Sequence, residues 1–148
     1  MTERSGPFWD GLNGRAPVPP AAATLGFEYV DADPVAQSIE LAFTAGATFT
    51  TPTGDVLGGF LAAMLFDTVG PALLATLEPG EFQSTLELHT AFLRPVGPGR
   101  IGARGRIVHR EGDLAHLAAE LTDSAGRLVA TATAVARVIP RDFPDPPG

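Results

Sequence analysis

The stretch GDVLGGFLAAMLFDTVGPALLATL, residues 54 to 77, holds the residue types most able to do chemistry together. Gly58 and Gly59 stand where a long apolar run begins. Glycine lets backbone approach a ligand with no clashing Cβ, and helix-start amides suit an anion or a polarised carbonyl oxygen. Asp67 is the carboxylate inside that run, and burying it unpaired would be costly. It must therefore face water, a partner or a site. Asp55 reads as a helix-entry residue capping nearby amides. Downstream, FQSTLELHTAFL places Thr85, Glu87 and His89 on one strand face and Leu86, Leu88 and Thr90 on the other. A lone histidine in that position is more often structural than catalytic. Arg94 in FLRP and Arg110 in VHR could each serve a phosphate, or simply sit in solvent. Other chemistries are absent from the sequence: there is no zinc-ligand spacing, no G-x-S-x-G elbow and no P-loop.

These residues need elements to hold them. The chain has 148 residues, with 45% hydrophobic and 18% charged, which reads as one globular domain, 1–148, with a substantial core. A net charge of −7 argues against nucleic-acid binding, which needs a basic stripe. Without cysteine, disulfides and thiolate catalysis are excluded. The apolar run is interrupted by Asp67, Gly70 and Pro71, so no membrane span is expected. The opening MTERSGPFWDGL lacks a signal-peptide pattern, so a cytoplasmic protein is the expectation.

Residues 1–23 form a proline-rich arm in which Phe8 and Trp9 could anchor, and 140–148 an extended tail. Strands are predicted at 25–30, 36–45, 82–93, 99–110, 114–123 and 127–139, with Ile39, Leu41 and Phe43 sharing a face. SAGR reads as a compact hairpin turn. A single helix apolar nearly all round must be enclosed, and a curved antiparallel sheet is the economical wrapper. The expected fold is α+β: a hotdog, with five to six strands around one long helix.

Four segments, PPAAATLGFEYV, GGFLAAML-DTVGPAL, FLRPVGPG and DSAGRLVATATA, come in an order and spacing that resemble the PaaI-type acyl-CoA thioesterases of the hotdog superfamily. The resemblance runs from about Phe8 to Ile139. It implies a homodimer or dimer of dimers with two sites at the interface, CoA thioesters as substrates, and no cofactor beyond the CoA of the substrate. It also implies that the Gly58 amide, with Gly59 beside it, holds the thioester oxyanion. A base two turns along the helix would lie about 12 Å away, so it must come from the partner's helix.

The sequence departs from that pattern. Where many members have His before Gly-Gly, this chain has Leu57, and the acid nine residues later is replaced by Phe66. Asp67 comes one position later, turned by about 100° around the helix. Thr51 stands where an asparagine is frequent, and "EG" at 111–112 where Gly-Arg often follows HR. The strand hydroxyl is retained as Thr85. The residues leave three readings open: Asp67 acts on a rotated helix; Thr85, Glu87 or His89 does the work; or the protein binds an acyl-CoA or apolar metabolite without hydrolysing it. Leu57, Ala63 and Phe66 would line the acyl group, making a bulky apolar or aromatic acid the expected substrate.

Overall fold

The computed structural model describes residues 6–141. Two short helices, α1 (Pro7–Leu12) and α2 (Pro20–Thr24), precede the strands β1 (Glu28–Asp33) and β2 (Ser38–Ala45). A 3-10 turn, Ala47–Phe49, leads towards α3 (Gly58–Leu74), and β3 (Glu81–Phe92), β4 (Gly99–Glu111), β5 (Leu114–Thr122) and β6 (Leu128–Pro140) follow. The arm is thus less extended than its prolines suggest. Each short helix carries a proline in its first turn, where the missing N–H costs nothing.

All six strands join one antiparallel sheet in the order β1-β2-β4-β5-β6-β3. The helix lies across its concave face, touching β2 to β6. Ile39, Leu41, Phe43, Met64, Leu65, Leu73, Ile101, Leu117 and Leu121 make the buried centre. The inner face is otherwise lined by Ala103, Ala115, Ala119, Ala130, Ala132, Ala134 and Ala136, all buried. Small side chains let the helix seat closely. At Gly105 the approach is tightest, since an added Cβ would stand 2.9 Å from the Thr68 carbonyl oxygen. Thr68 is fully buried but satisfied, its hydroxyl donating to the Met64 carbonyl at 2.7 Å.

The SAGR turn is closed by Asp123, whose Oδ1 accepts from the amides of Ala125 and Arg127 at 2.9 Å each. Those bonds, the Arg127 amide foremost, hold the Asp123 carboxyl below the usual carboxylate range.

One expected face assignment changes. The β3–β6 register shifts between Thr85 and Glu87, so Leu86 is an extra residue in a β-bulge. Thr85 pairs with the buried Ala136 and shares the inner face with Leu88 and Thr90, whereas Glu87 and His89 point the opposite way. Strict period two therefore misplaces Leu86, which is 49% exposed.

Candidate active site

The chain enters α3 through a pinned segment. Val56 N–H donates to the Val96 carbonyl and Leu57 N–H to the Phe49 carbonyl, both at 2.8 Å. Leu57 is the N-cap residue, and no side chain caps the helix. The amides of Gly58 and Gly59 precede the helix's own hydrogen-bond ladder, so they remain available to an oxygen from outside. Asp55 does not cap them, contrary to the sequence expectation. Its carboxylate accepts from the Thr53 hydroxyl at 3.2 Å, and Thr53 is within 2.8 Å of the Thr51 hydroxyl. Thr51 thus belongs to the loop before the helix. Beneath the first turn Phe49 and Phe60 stack, with ring centroids 3.9 Å apart.

Phe92, at the end of β3, lies against this helix start. A Cβ built on Gly58 would meet its ring at 3.4 Å. The ring is 54% exposed, so it screens one side of the Gly58 backbone and leaves its other side open. Nothing in the sequence separates Phe92 from an ordinary strand-end core residue; the only signal is its place two residues before Arg94 in FLRP.

Asp67 lies nine residues along the same helix, about 13 Å from Gly58 at 1.5 Å per residue. Its Oδ2 is buried and has no hydrogen-bond partner. Burial pushes the carboxyl from 3.8 to about 6. A second feature acts on the same residue. Pro71 sits inside the helix four positions later; lacking an N–H, it cannot bond the Asp67 carbonyl, and its ring crowds that oxygen. This too was legible in the sequence, as the Asp-to-Pro spacing of four. One turn on, Gly70 would meet Gln83 Nε2 at 3.0 Å if it had a Cβ, and Gln83 Oε1 accepts from the Thr85 hydroxyl at 3.0 Å. The flank of α3 that carries Asp67 and Gly70 therefore runs beside the inner face of β3, where Thr85 stands.

The other candidates are distributed as follows. Leu57 and Phe66 are 49% and 47% exposed, and Ala63 is half-buried. Glu87 and His89 pair with each other at 3.8 Å on the sheet face turned away from the helix. Arg94 is exposed just beyond β3. Arg110 donates from Nε to the Gly112 carbonyl at 3.1 Å and shares an open hollow with Glu81 and Asp113, two carboxylates that disfavour a phosphate there. Among the described residues, no group of three or more histidines and carboxylates is placed to hold a metal ion. No helix among them is long and apolar enough to cross a membrane.

The family model for the acyl-CoA thioesterase N-terminal domain matches residues 35–137. A phenylacetic acid degradation-related protein from Ralstonia eutropha is 42% identical, covers 88% of this chain and 98% of its own, and superposes with a TM-score of 0.85. At lower identity the fold alone is shared. A Haemophilus influenzae thioesterase is 19% identical over 93% of each chain, with a TM-score of 0.79. The Escherichia coli PaaI protein is 17% identical over 89% of this chain and 93% of its own, with a TM-score of 0.78. No curated protein matches. With its helix-wrapping sheet and a family match over most of its length, the chain belongs to the PaaI-type acyl-CoA thioesterases of the hotdog fold.

Proposed function

We propose that this protein hydrolyses CoA thioesters of bulky apolar or aromatic acids, in two equivalent sites that two copies of the chain build jointly. The carrying observation is the uncapped Gly58–Gly59 helix start in a chain of this family. Its amides hold the thioester carbonyl oxygen, and the helix dipole favours the negative charge that develops there. A water attacks the carbonyl carbon while Asp67 of the second copy takes its proton, and Thr85 lends a hydroxyl to orient that water. The tetrahedral intermediate then collapses. The C–S bond breaks, the proton passes from Asp67 to the departing sulfur, and free acid and CoA thiol are released. No cofactor takes part.

Joint sites are supported by the length of the helix. One carbonyl carbon cannot be reached by both Gly58 and Asp67 of one copy, about 13 Å apart. The outer edge of β3, which has no strand neighbour among the described residues, and the exposed side chains of Leu57, Phe66, Leu86 and Phe92 supply a surface that a second copy can cover. Leu57, Ala63 and Phe66 then wall the acyl group, which excludes a charged or strongly polar acid. Thr51 lies at the loop beside the site, and Arg94 is the better placed of the two arginines for a CoA phosphate, because Arg110 sits among carboxylates.

Phe66 at the usual acid position favours one competing reading, in which the ester is bound and not turned over. Thiol release from a panel of phenylacetyl-, medium-chain and acetyl-CoA decides between them. The expected outcome is hydrolysis of the first two at least about tenfold faster than acetyl-CoA, a difference of about 1.4 kcal/mol. Tight binding without thiol release would establish the binding module, and neither binding nor release would overturn both.

A further inference from the structure

On the inner face, a glycine inside α3 and an amide side chain on β3 fit one another. Gly70 is buried within the helix, a position where alanine favours the helical state. The reason for glycine lies across the gap to the strand. A Cβ at Gly70 would stand 3.0 Å from Gln83 Nε2 and 3.7 Å from Gln83 Cδ, so the bare Cα makes room for that amide. With the nitrogen turned to the helix, the amide oxygen is left for Thr85, whose hydroxyl donates to Gln83 Oε1 at 3.0 Å. The opposite orientation would set an oxygen against a flank that already holds acceptors. These are the unpartnered Asp67 Oδ2 and the Asp67 carbonyl, which Pro71 leaves without a helix donor.

We infer that Gln83 is a positioning residue for the attacking water: it holds the Thr85 hydroxyl hydrogen, so that Thr85 meets the water only as an acceptor. This rests on the roles proposed for Asp67 and Thr85. A threonine hydroxyl has one hydrogen and two lone pairs. With that hydrogen committed to Gln83 Oε1, Thr85 Oγ1 has only lone pairs to offer. The water then directs one hydrogen to the Asp67 carboxylate and the other to Thr85 Oγ1, and its own lone pair is turned to the thioester carbon. As the new C–O bond forms, Asp67 takes the first hydrogen as a proton, and the second stays on the attacking oxygen. Without Gln83 the Thr85 hydroxyl is free to rotate and donate to the water, occupying a lone pair that the attack needs. Gln83 thus acts through Thr85.

The test compares steady-state thiol release from phenylacetyl-CoA by the full chain and by the variants Gln83→Met, Thr85→Val and the two combined, each checked for fold by circular dichroism. Methionine keeps the length of glutamine and removes the amide oxygen. Gln83→Met should lower kcat about fivefold or more with KM within about twofold, because ground-state binding does not use the water. Thr85→Val should lower kcat about tenfold or more. Adding Gln83→Met to it should bring no further loss, since no hydroxyl is left to orient. Gly70→Ala is a second variant, whose methyl pushes the Gln83 amide away without removing it. It should lower kcat about twofold or more in the unaltered chain and not beside Thr85→Val. Unchanged kcat in Gln83→Met, or losses that multiply in the double variant, would overturn the inference and leave the hydrolase reading standing. Should Gln83→Met misfold, Gly70→Ala decides alone, and equal losses with and without the Thr85 hydroxyl would overturn the inference. No thiol release from the unaltered chain would defeat both.

Discussion

Burying the Asp67 carboxyl without a partner for its Oδ2 is costly, and three measurements follow from it. Its folded value of about 6 against 3.8 for the free side chain means that the folded chain holds this proton more tightly than the unfolded one. Stability from this group is therefore greatest below about pH 4 and declines as pH rises to about 6, by at most about 3 kcal/mol. Asp67→Asn should raise the melting temperature at pH 8 and change it little at pH 4, which calorimetry at the two pH values checks. As a base the group must be deprotonated, so kcat/KM should rise with pH through about 6. The same variant should lose that inflection and about 10²- to 10⁴-fold in rate. Phe66→Asp asks which helix position faces the reacting carbon: with Asp67 as the base it should gain less than about threefold, and a gain of about tenfold or more would transfer the role to position 66. The sequence showed the displaced carboxylate. It could not show the missing hydrogen-bond partner, because that depends on how closely the Gly70 flank approaches β3.

At the level of elements, the alanine-rich strands and the glycine in β4 are what allow α3 to sit deep in the sheet. Gly105→Ala drives a methyl group into the Thr68 carbonyl at 2.9 Å and the Ala72 methyl at 3.2 Å. It should cost about 1–3 kcal/mol, read as a lower denaturation midpoint at unchanged slope. Six strands and one long helix were legible from periodicity, because β4 and most of β6 bury alternate residues, β2 and β5 do so towards their ends, and α3 is apolar on most sides. The bulge at Leu86 was not, since nothing local distinguishes an extra residue from its neighbours. That single insertion separates Thr85 from Glu87 and His89, and reduces three strand candidates to one beside the helix. Asp55 looked like a cap by residue type, but the loop folds so that its carboxylate meets a threonine hydroxyl instead of the helix amides.

For the whole molecule, the decisive question is whether one site uses two chains. Leu86→Arg places a charge on the exposed bulge of β3. It should shift the protein to monomers by light scattering and abolish turnover with the fold intact by circular dichroism. Mixing gives a sharper test. An Asp67→Asn chain and a chain with a bulky residue at Gly58 should each be inactive alone. After subunit exchange, mixed pairs hold one site with both parts intact, so about a quarter of wild-type activity should return. No recovery would mean that each site is built within one chain.

The two borders of the sheet are unlike each other. β3 is twelve residues long, with large apolar side chains at Leu86 and Phe92, while β1 has six residues, a register irregularity between Tyr29 and Asp31, and aspartates at 31 and 33. Growth through β3 joins like to like and so ends after one addition, and β1 offers no matching ledge on which a third chain could continue. The same asymmetry that gives the protein a sticky margin should keep concentrated solutions free of fibres.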